Sequence, residues 1–374
     1  MSVGIGIIGL VESGRTTIFN ALTKGKADTG GYIQKAPHTG IAKVPEPRLN
    51  TLAELLQPKR VVPAEVRYLD IGASVKSLAK DTPISGEYLS QLSNVDALMN
   101  IARAFTDESI PHIEGSVDAA RDMSTMDLEL AFSDLAIIER RLHRIETSLK
   151  AAKPAERQSL HQEQGLLIKV KTELEKDVPI REQDLTEDEN KLIIGYQFLS
   201  AKTLLTVVNI GEDQLPQAKT LEDDLNRRFS RPKHGVITLC GKLEMELAQL
   251  DDATAEGFRT EFGLTESGLE RTIKLSYELL GLITFFTVVS DEVKAWSIKK
   301  GTTALKAAGK IHSDMERGFI RAEVISYNDL LKCGSLAEGR KHGLLRPEGK
   351  NYIVQDGDVI TFLFKEGSTL IRPF

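Results

Sequence analysis

"GIIGLVESGRTTIFNAL", residues 6–22, is the stretch whose reading decides the fold. Gly9 is followed by four residues and then by Gly14, Arg15 and Thr16. A phosphate-binding loop is written G-x-x-x-x-G-K-[ST], so the stretch fits everywhere except at Arg15, where lysine is usual. The apolar, β-branched run "VGIGIIGLV" before it reads as a strand buried on both faces of a parallel sheet. "TTIFNALTKG" after it reads as a helix closed by Gly25. Strand, loop and helix together are the context that a phosphate loop requires.

The residue types in the loop follow from its chemistry. Gly9 and Gly14 allow the backbone to turn N–H groups inward around an anion, and the following helix adds its positive N-terminal end. The phosphate-binding set is therefore Gly9, Glu12, Ser13, Gly14, Arg15, Thr16 and Thr17. Arg15 keeps the cation of the usual lysine, but as a longer planar fork it is not interchangeable with it. The Thr16 hydroxyl is placed to ligate magnesium. "YLDIGAS" (68–74) adds Asp70 at a strand end, where a carboxylate holds magnesium through water. A D-x-x-G switch would need glycine at 73, and the chain has Ala73. "TVVNIGEDQL" (206–215) ends a buried strand with Asn209 and Glu212, where GTPases carry N-K-x-D. The aspartate of that motif reads guanine by accepting from its N1–H and N2–H₂; with Glu212 in its place and Ile210 in the lysine position, the pattern retains a base-facing asparagine without the strict guanine reader.

Further apolar runs at 65–71, 96–104, 203–210 and 234–240 resemble strands, and together they predict a doubly wound α/β domain. Between Asp127 and about Asp177 the periodicity changes. Leu128, Ala131, Leu135, Ile138, Leu142, Ile145 and Leu149 alternate steps of three and four, "AAKPAE" breaks the helix, and Leu160, Leu167, Val170 and Leu174 resume it. This predicts an antiparallel coiled-coil hairpin with solvated charged faces, inserted between two strands of the α/β domain. After Leu282, "TFFTVV", "EVKAWSI", "FIRAEVI" and "VITFLF" are strand-like, and "QDGD" (355–358) marks a tight turn. They predict a small α+β domain. The expected boundaries are 1–123 and 200–282 for the two parts of the α/β domain, 124–199 for the helical insert and 283–374 for the last domain.

At 374 residues with 27% charged and 41% hydrophobic residues, the chain reads as soluble and multi-domain. Its formal net charge of −6 argues against a wholly nucleic-acid- or membrane-binding surface. Residues 283–374 run the other way, with 14 Lys and Arg against 11 Asp and Glu. Cys240 and Cys333 are the only cysteines, so neither a disulfide framework nor a zinc ribbon is available. The apolar run from Leu279 is too short to span a bilayer, and the N-terminus lacks a signal-peptide pattern. A cytoplasmic monomer without a membrane partner is the expectation.

These motifs, in this order, resemble the Obg-like ATPase (YchF) family of translation-factor-class P-loop proteins. The likeness covers nearly the whole chain and is strongest in residues 295–335 and 345–362, which look like that family's TGS domain, a ubiquitin-like β-grasp. "VPEPRLNTLAELLQPKRVVPAEV" (44–66) and "HIEGSVDAARDM" (112–123) are also family-like. The resemblance implies a P-loop NTPase G domain interrupted by the hairpin, magnesium with ATP or GTP as cofactor, and association with the ribosome or RNA. It carries base binding onto Asn209 and Glu212, and onto Cys240, Gly241 and Lys242, where the family resembles S-A-K. The departures gather around the γ-phosphate: Arg15 for the lysine, Gln34 for the first-switch threonine and Ala73 for the second-switch glycine.

Two functions follow. One is a slow ATP or GTP hydrolase, with no catalytic residue identified. The other is an adaptor that works without turnover through its hairpin and last domain. Lys294, Lys299, Lys300, Lys306, Lys310, Arg317 and Arg321 crowd the first half of that domain, and Lys299, Lys300, Lys310 and Arg317 are the RNA or ribosome contacts expected there.

Overall fold

The computed structural model describes residues 3–25, 27, 37–71, 86–229, 231–289, 291–366 and 369–371. Gln34 and Ala73 lie outside them. The chain divides into two compact units, one comprising Gly4–Ile41 and Arg67–Leu275, the other Met1–Val3, Ala42–Val66 and Ser276–Phe374.

The first 103 residues contain β1 (Val3–Gly9), β2 (His38–Lys43), β3 (Arg60–Val62), β4 (Glu65–Asp70) and β5 (Ala97–Arg103). With β6 (Thr203–Asn209) and β7 (His234–Leu239), all but β3 form a six-stranded sheet in the order β2-β4-β1-β5-β6-β7. β1, β5, β6 and β7 run parallel, and every residue of β1 and β5 is buried. That burial explains why their sequences are continuous apolar runs: helices cover both faces. On one face Ile8, Leu98 and Leu204 pack with Leu92, Met126 and Leu130. Another cluster joins Ala102, Val208 and Val236 to Leu225, Leu243 and Leu247. The four strand segments read from the sequence coincide with β4, β5, β6 and β7 within a residue at each end.

A helix over Ala119–Leu149 begins where the Asp118 carboxylate accepts from Arg121 N–H, five residues before the expected insert boundary. Pro154 opens its partner, Pro154–Leu174, in the first helical turn, where proline's missing N–H costs nothing. The two helices share a core of Ala131, Ile138, Ile145, Leu167, Val170 and Leu174. Leu128, expected in that seam, is exposed. The first three turns face the sheet through Met126 and Leu130, so the seam begins only at Ala131. At the hairpin's base the buried Asp134 accepts from the backbone N–H groups of Leu199 and Ser200, 2.8 and 2.7 Å away. Burial still pushes its carboxyl up to about 6.

The second unit holds β8 (Leu282–Val289), β9 (Glu292–Lys299), β10 (Phe319–Ser326), β11 (Arg346–Glu348), β12 (Asp358–Glu366) and β13 (Thr369–Ile371). Its sheet runs β11-β10-β12-β8-β9-β3, with β13 on β12. The apolar run from Leu279 is not strand throughout: the helix Gly268–Leu279 ends there, and Gly281, at φ 62°, makes the turn into β8. The helix Ala304–Ile311 lies on the sheet with Ala304, Ala307 and Ala308 against Phe285, Val324, Ile360 and Phe362, a small-residue face that permits close approach.

The segment Ala42–Val66 corrects the expected boundaries, since it lies in this unit rather than with the phosphate loop. β3 adds a parallel edge strand to β9, Val61 opposite Val293. Arg48 fixes the segment: its guanidinium meets Asp356 at 2.7 Å and Glu46 at 2.7 Å, 5.6 Å from the centre of the Phe286 ring. Gly357 is needed in the adjoining turn, with φ 84°, because a Cβ there would stand 2.9 Å from Arg48 Nη1.

His234 begins β7 fully buried, 3.1 Å from the Thr206 hydroxyl, and burial followed by the nearby Arg181 charge holds its pKa down to about 4 from 6.5. A depressed histidine stabilises the fold above its unfolded pKa and loses that contribution as pH falls from 6.5 to about 4. The loss is on the order of 3 kcal/mol. His234→Gln stays neutral and is expected to show a smaller fall in urea midpoint between pH 7 and pH 4. Equal falls in both proteins would show that His234 does not titrate there.

Candidate functional site

The loop between β1 and the helix Arg15–Thr23 turns on two glycines and one non-glycine. Gly9 lies so close to β5 that a Cβ would stand 2.6 Å from the Ile101 carbonyl oxygen. Gly14 has φ 90°, and a Cβ there would stand 2.2 Å from Asn209 Nδ2. Glu12 carries φ 61°, its side chain exposed. Backbone strain of this kind concentrates at ligand-binding loops. Ser13 is buried and its hydroxyl has no partner, while Thr17 is half-buried.

The Thr16 hydroxyl donates to Asp70 Oδ2 at 2.7 Å. Asp70 is 2% exposed and its Oδ1 is left without a partner. A buried carboxylate oxygen with no donor is costly unless a cation completes it. The pair therefore fits a magnesium ion, a hard cation that takes few protein oxygens and draws the rest from phosphate and water. Among the described residues no group of three or more His, Cys, Asp or Glu could hold a metal by itself.

Arg15 departs from its expected aim. Its Nη1 donates to the Ile71 carbonyl at 2.9 Å, so the guanidinium ties the start of the helix to the residue after β4.

Asn209 departs as well. Its carboxamide, 4% exposed, does not simply face a base: Nδ2 donates to the Ser13 carbonyl at 3.0 Å and Oδ1 accepts from Gly241 N–H at 3.0 Å. It thus holds the phosphate loop, the end of β6 and the turn after β7 together. Glu212 and Lys242, the two exposed members of the base set, stand 3.9 Å apart. Cys240 occupies the N-cap position of the helix Gly241–Leu247 without a side-chain cap bond and is buried, which pushes its thiol pKa up and makes it a packing residue rather than a nucleophile.

The structure adds residues that motif reading missed. Arg103, buried at the end of β5, has its guanidinium 4.4 Å from the centre of the Phe105 ring and donates to the Phe105 and Ile110 carbonyls. The Ala104 and Phe105 N–H groups donate to the Asn209 carbonyl. The signal was an arginine closing a wholly buried strand. Nearby, His112 bonds Asp122 at 2.8 Å, and Asp122 also takes Arg121, a buried network at the start of the long helix.

In the C-terminal unit one expected contact, Arg317, is already engaged, as are three other cations of the same crowd. Arg317 bonds Asp314, Lys306 meets Glu316 at 2.7 Å, Arg321 meets Glu323 at 3.3 Å, and Lys294 lies 3.9 Å from the centre of the Trp296 ring. Lys299 and Lys300 are exposed at the end of β9, and Lys310 closes the helix Ala304–Ile311 half-buried.

Among known proteins, the chain is 40% identical to the ribosome-binding ATPase YchF of Bacillus subtilis over 368 residues, covering 97% of this chain and 100% of that one. The chain belongs to the YchF family. The ribosome-binding ATPase YchF of Escherichia coli O157:H7 is 36% identical over 366 residues, covering 97% of this chain and 99% of that one. The solved Schizosaccharomyces pombe YchF GTPase superimposes with a TM-score of 0.81 at 30% identity, covering 96% and 97% of the two chains. The family model YchF-GTPase_C, described as a protein of unknown function, matches residues 282–365. The fold is therefore the P-loop G domain with helical hairpin and C-terminal YchF domain that the sequence led us to expect. Among the described residues no helix is long and apolar enough to cross a membrane.

If the carboxamide of Asn209 joins the loops, Asn209→Ala should cost about 2 kcal/mol in stability by leaving Ser13 O and Gly241 N–H unpaired. Asn209→Asp keeps an acceptor for Gly241 but sets a charged oxygen against the Ser13 carbonyl, so it should cost more. Thermal melts of the three proteins test this order, and the reverse order would assign Asn209 no bridging role.

Proposed function

We propose that this YchF-family chain binds a purine nucleotide with magnesium at the loop Gly9–Thr17 and associates with the ribosome. The observation that carries the nucleotide reading is the Thr16–Asp70 pair with its unpartnered carboxylate oxygen beneath the phosphate loop. Thr16 and Asp70 would hold the magnesium, which would neutralise phosphate charge. The backbone N–H groups of residues 12–17 would take the phosphates at the helix N-terminus. Ribosome association rests on the bacterial relatives' names. The relatives are called both ATPase and GTPase. With Ile210 in the lysine position and Glu212 beside Lys242, strict guanine selection has no support in the residues here.

A second reading, slow turnover, is favoured by Arg15. A guanidinium already anchored through Nη1 to the Ile71 carbonyl is held to that position, and its planar fork does not replace the compact lysine charge. Titration of ATP, GTP and their diphosphates, with and without magnesium, tests binding. Comparable affinities, all lowered by magnesium removal, are expected, and no binding at millimolar concentration would refute the proposal. Arg15→Ala should weaken binding by roughly 1–3 kcal/mol. Turnover is expected on the order of 10⁻⁴ s⁻¹ or below, little changed by Arg15→Lys. Single-turnover assays against a Thr16→Ala background measure it, and a rate near one per second would exclude the slow reading.

A further inference from the structure

The helical hairpin is electrically uneven along its length. Residues 140–161, the tip, contain six Lys and Arg against two Asp and Glu, whereas residues 162–199 contain five against nine. The cations of the second segment are largely neutralised: Lys169, Lys171, Lys176 and Lys191 each meet a carboxylate within 3.0 Å. At the tip, Arg140, Arg144, Lys150, Lys153 and Arg157 are all exposed, and none has a carboxylate partner among the described residues. Arg140 and Arg157 bond backbone carbonyls, of Ala136 and Ala152, through Nε alone. That contact steadies the stem while the terminal nitrogens face solvent. Arg141 is the exception, held by Glu163 at 2.7 Å and by Tyr196, and it braces the two helices across the groove between them.

Like charges crowded on an exposed tip repel one another, and leaving them unpaired costs stability unless an anionic partner compensates. A helix rises about 1.5 Å per residue, so Arg140 to Lys150 spans about 15 Å. That length faces several phosphates of one strand of a duplex. We propose that the hairpin tip binds the phosphate backbone of RNA. The choice of RNA among polyanions rests on the ribosome reading above, while the contact itself rests on the charge and pairing of these side chains.

The test uses the full chain and a fluorescent 20-base-pair RNA duplex titrated across monovalent salt. With three to four phosphates neutralised, log affinity should fall against log salt with a slope of about −3. The triple variant Arg144→Glu, Lys150→Glu and Lys153→Glu is expected to lose at least tenfold in affinity at low salt and to flatten the slope. The variant Lys332→Glu and Lys341→Glu, which reverses two exposed cations already paired with carboxylates, should stay within twofold. If charge reversal lowers the helix content seen by circular dichroism, the triple Gln variant replaces it and should still weaken binding severalfold. No duplex binding by the native chain, or binding indifferent to the tip, overturns the proposal. Tip reversal that removes ribosome co-sedimentation while sparing duplex binding also overturns it, assigning the tip to a protein contact. A native chain that binds the duplex through its tip yet does not sediment with ribosomes upholds the tip contact and refutes the ribosome reading.

Discussion

The Asn209 carboxamide is the interaction on which the nucleotide unit depends. Three segments far apart in sequence, the phosphate loop, the end of β6 and the turn after β7, meet at one buried amide with a donor on one side and an acceptor on the other. No smaller side chain spans the gap between Ser13 O and Gly241 N–H. Aspartate cannot supply the donor. The loop is pressed so close that Gly14 has no room for a Cβ. The same crowding that demands glycine therefore demands asparagine, and the strand carbonyl of Asn209 then fixes Ala104 and Phe105 as well.

A second junction joins the phosphate loop to β4. Thr16 bonds Asp70 and Arg15 bonds Ile71, so consecutive residues of the helix N-terminus grip the last residue of β4 and the one after it. The Arg15 guanidinium carries five N–H donors in a planar fork, so the Nη1 bond to Ile71 leaves donors for a further acceptor. A lysine in the same place, with a shorter reach and three donors on one nitrogen, would not offer that split geometry.

The parallel strands, the phosphate loop and the helical seam from Ala131 onward were legible because each has a local cause: continuous apolar strands, glycines at fixed spacing, a three–four period. What the sequence hid was non-local. Leu128 obeys the period but faces solvent, because the first turns of its helix pack on the sheet through Met126 and Leu130. Asn209 and Arg15 occupy their motif positions, yet their partners, Ser13, Gly241 and Ile71, are visible only once the strands are ordered. Arg48 likewise looked like one charge in a loop-rich stretch, and its meaning comes from Asp356, 308 residues away.

The segment 42–66 shows why domain boundaries drawn along the chain fail here. Pro58 and Pro63 isolate a three-residue strand too short to announce itself, and it is stable only because β9 offers an edge. The chain thus leaves the nucleotide unit after Ile41 and returns at Arg67, three positions before the carboxylate beneath the phosphate loop. Both strands that flank this excursion, β2 and β4, belong to the nucleotide sheet. The C-terminal unit cannot complete its own sheet without residues encoded between them. In a chain cut before Ser276, β3 would lose β9 as its ladder partner, and Arg48 would lose Asp356 and keep only Glu46. Neither unit is separable as a contiguous piece of sequence.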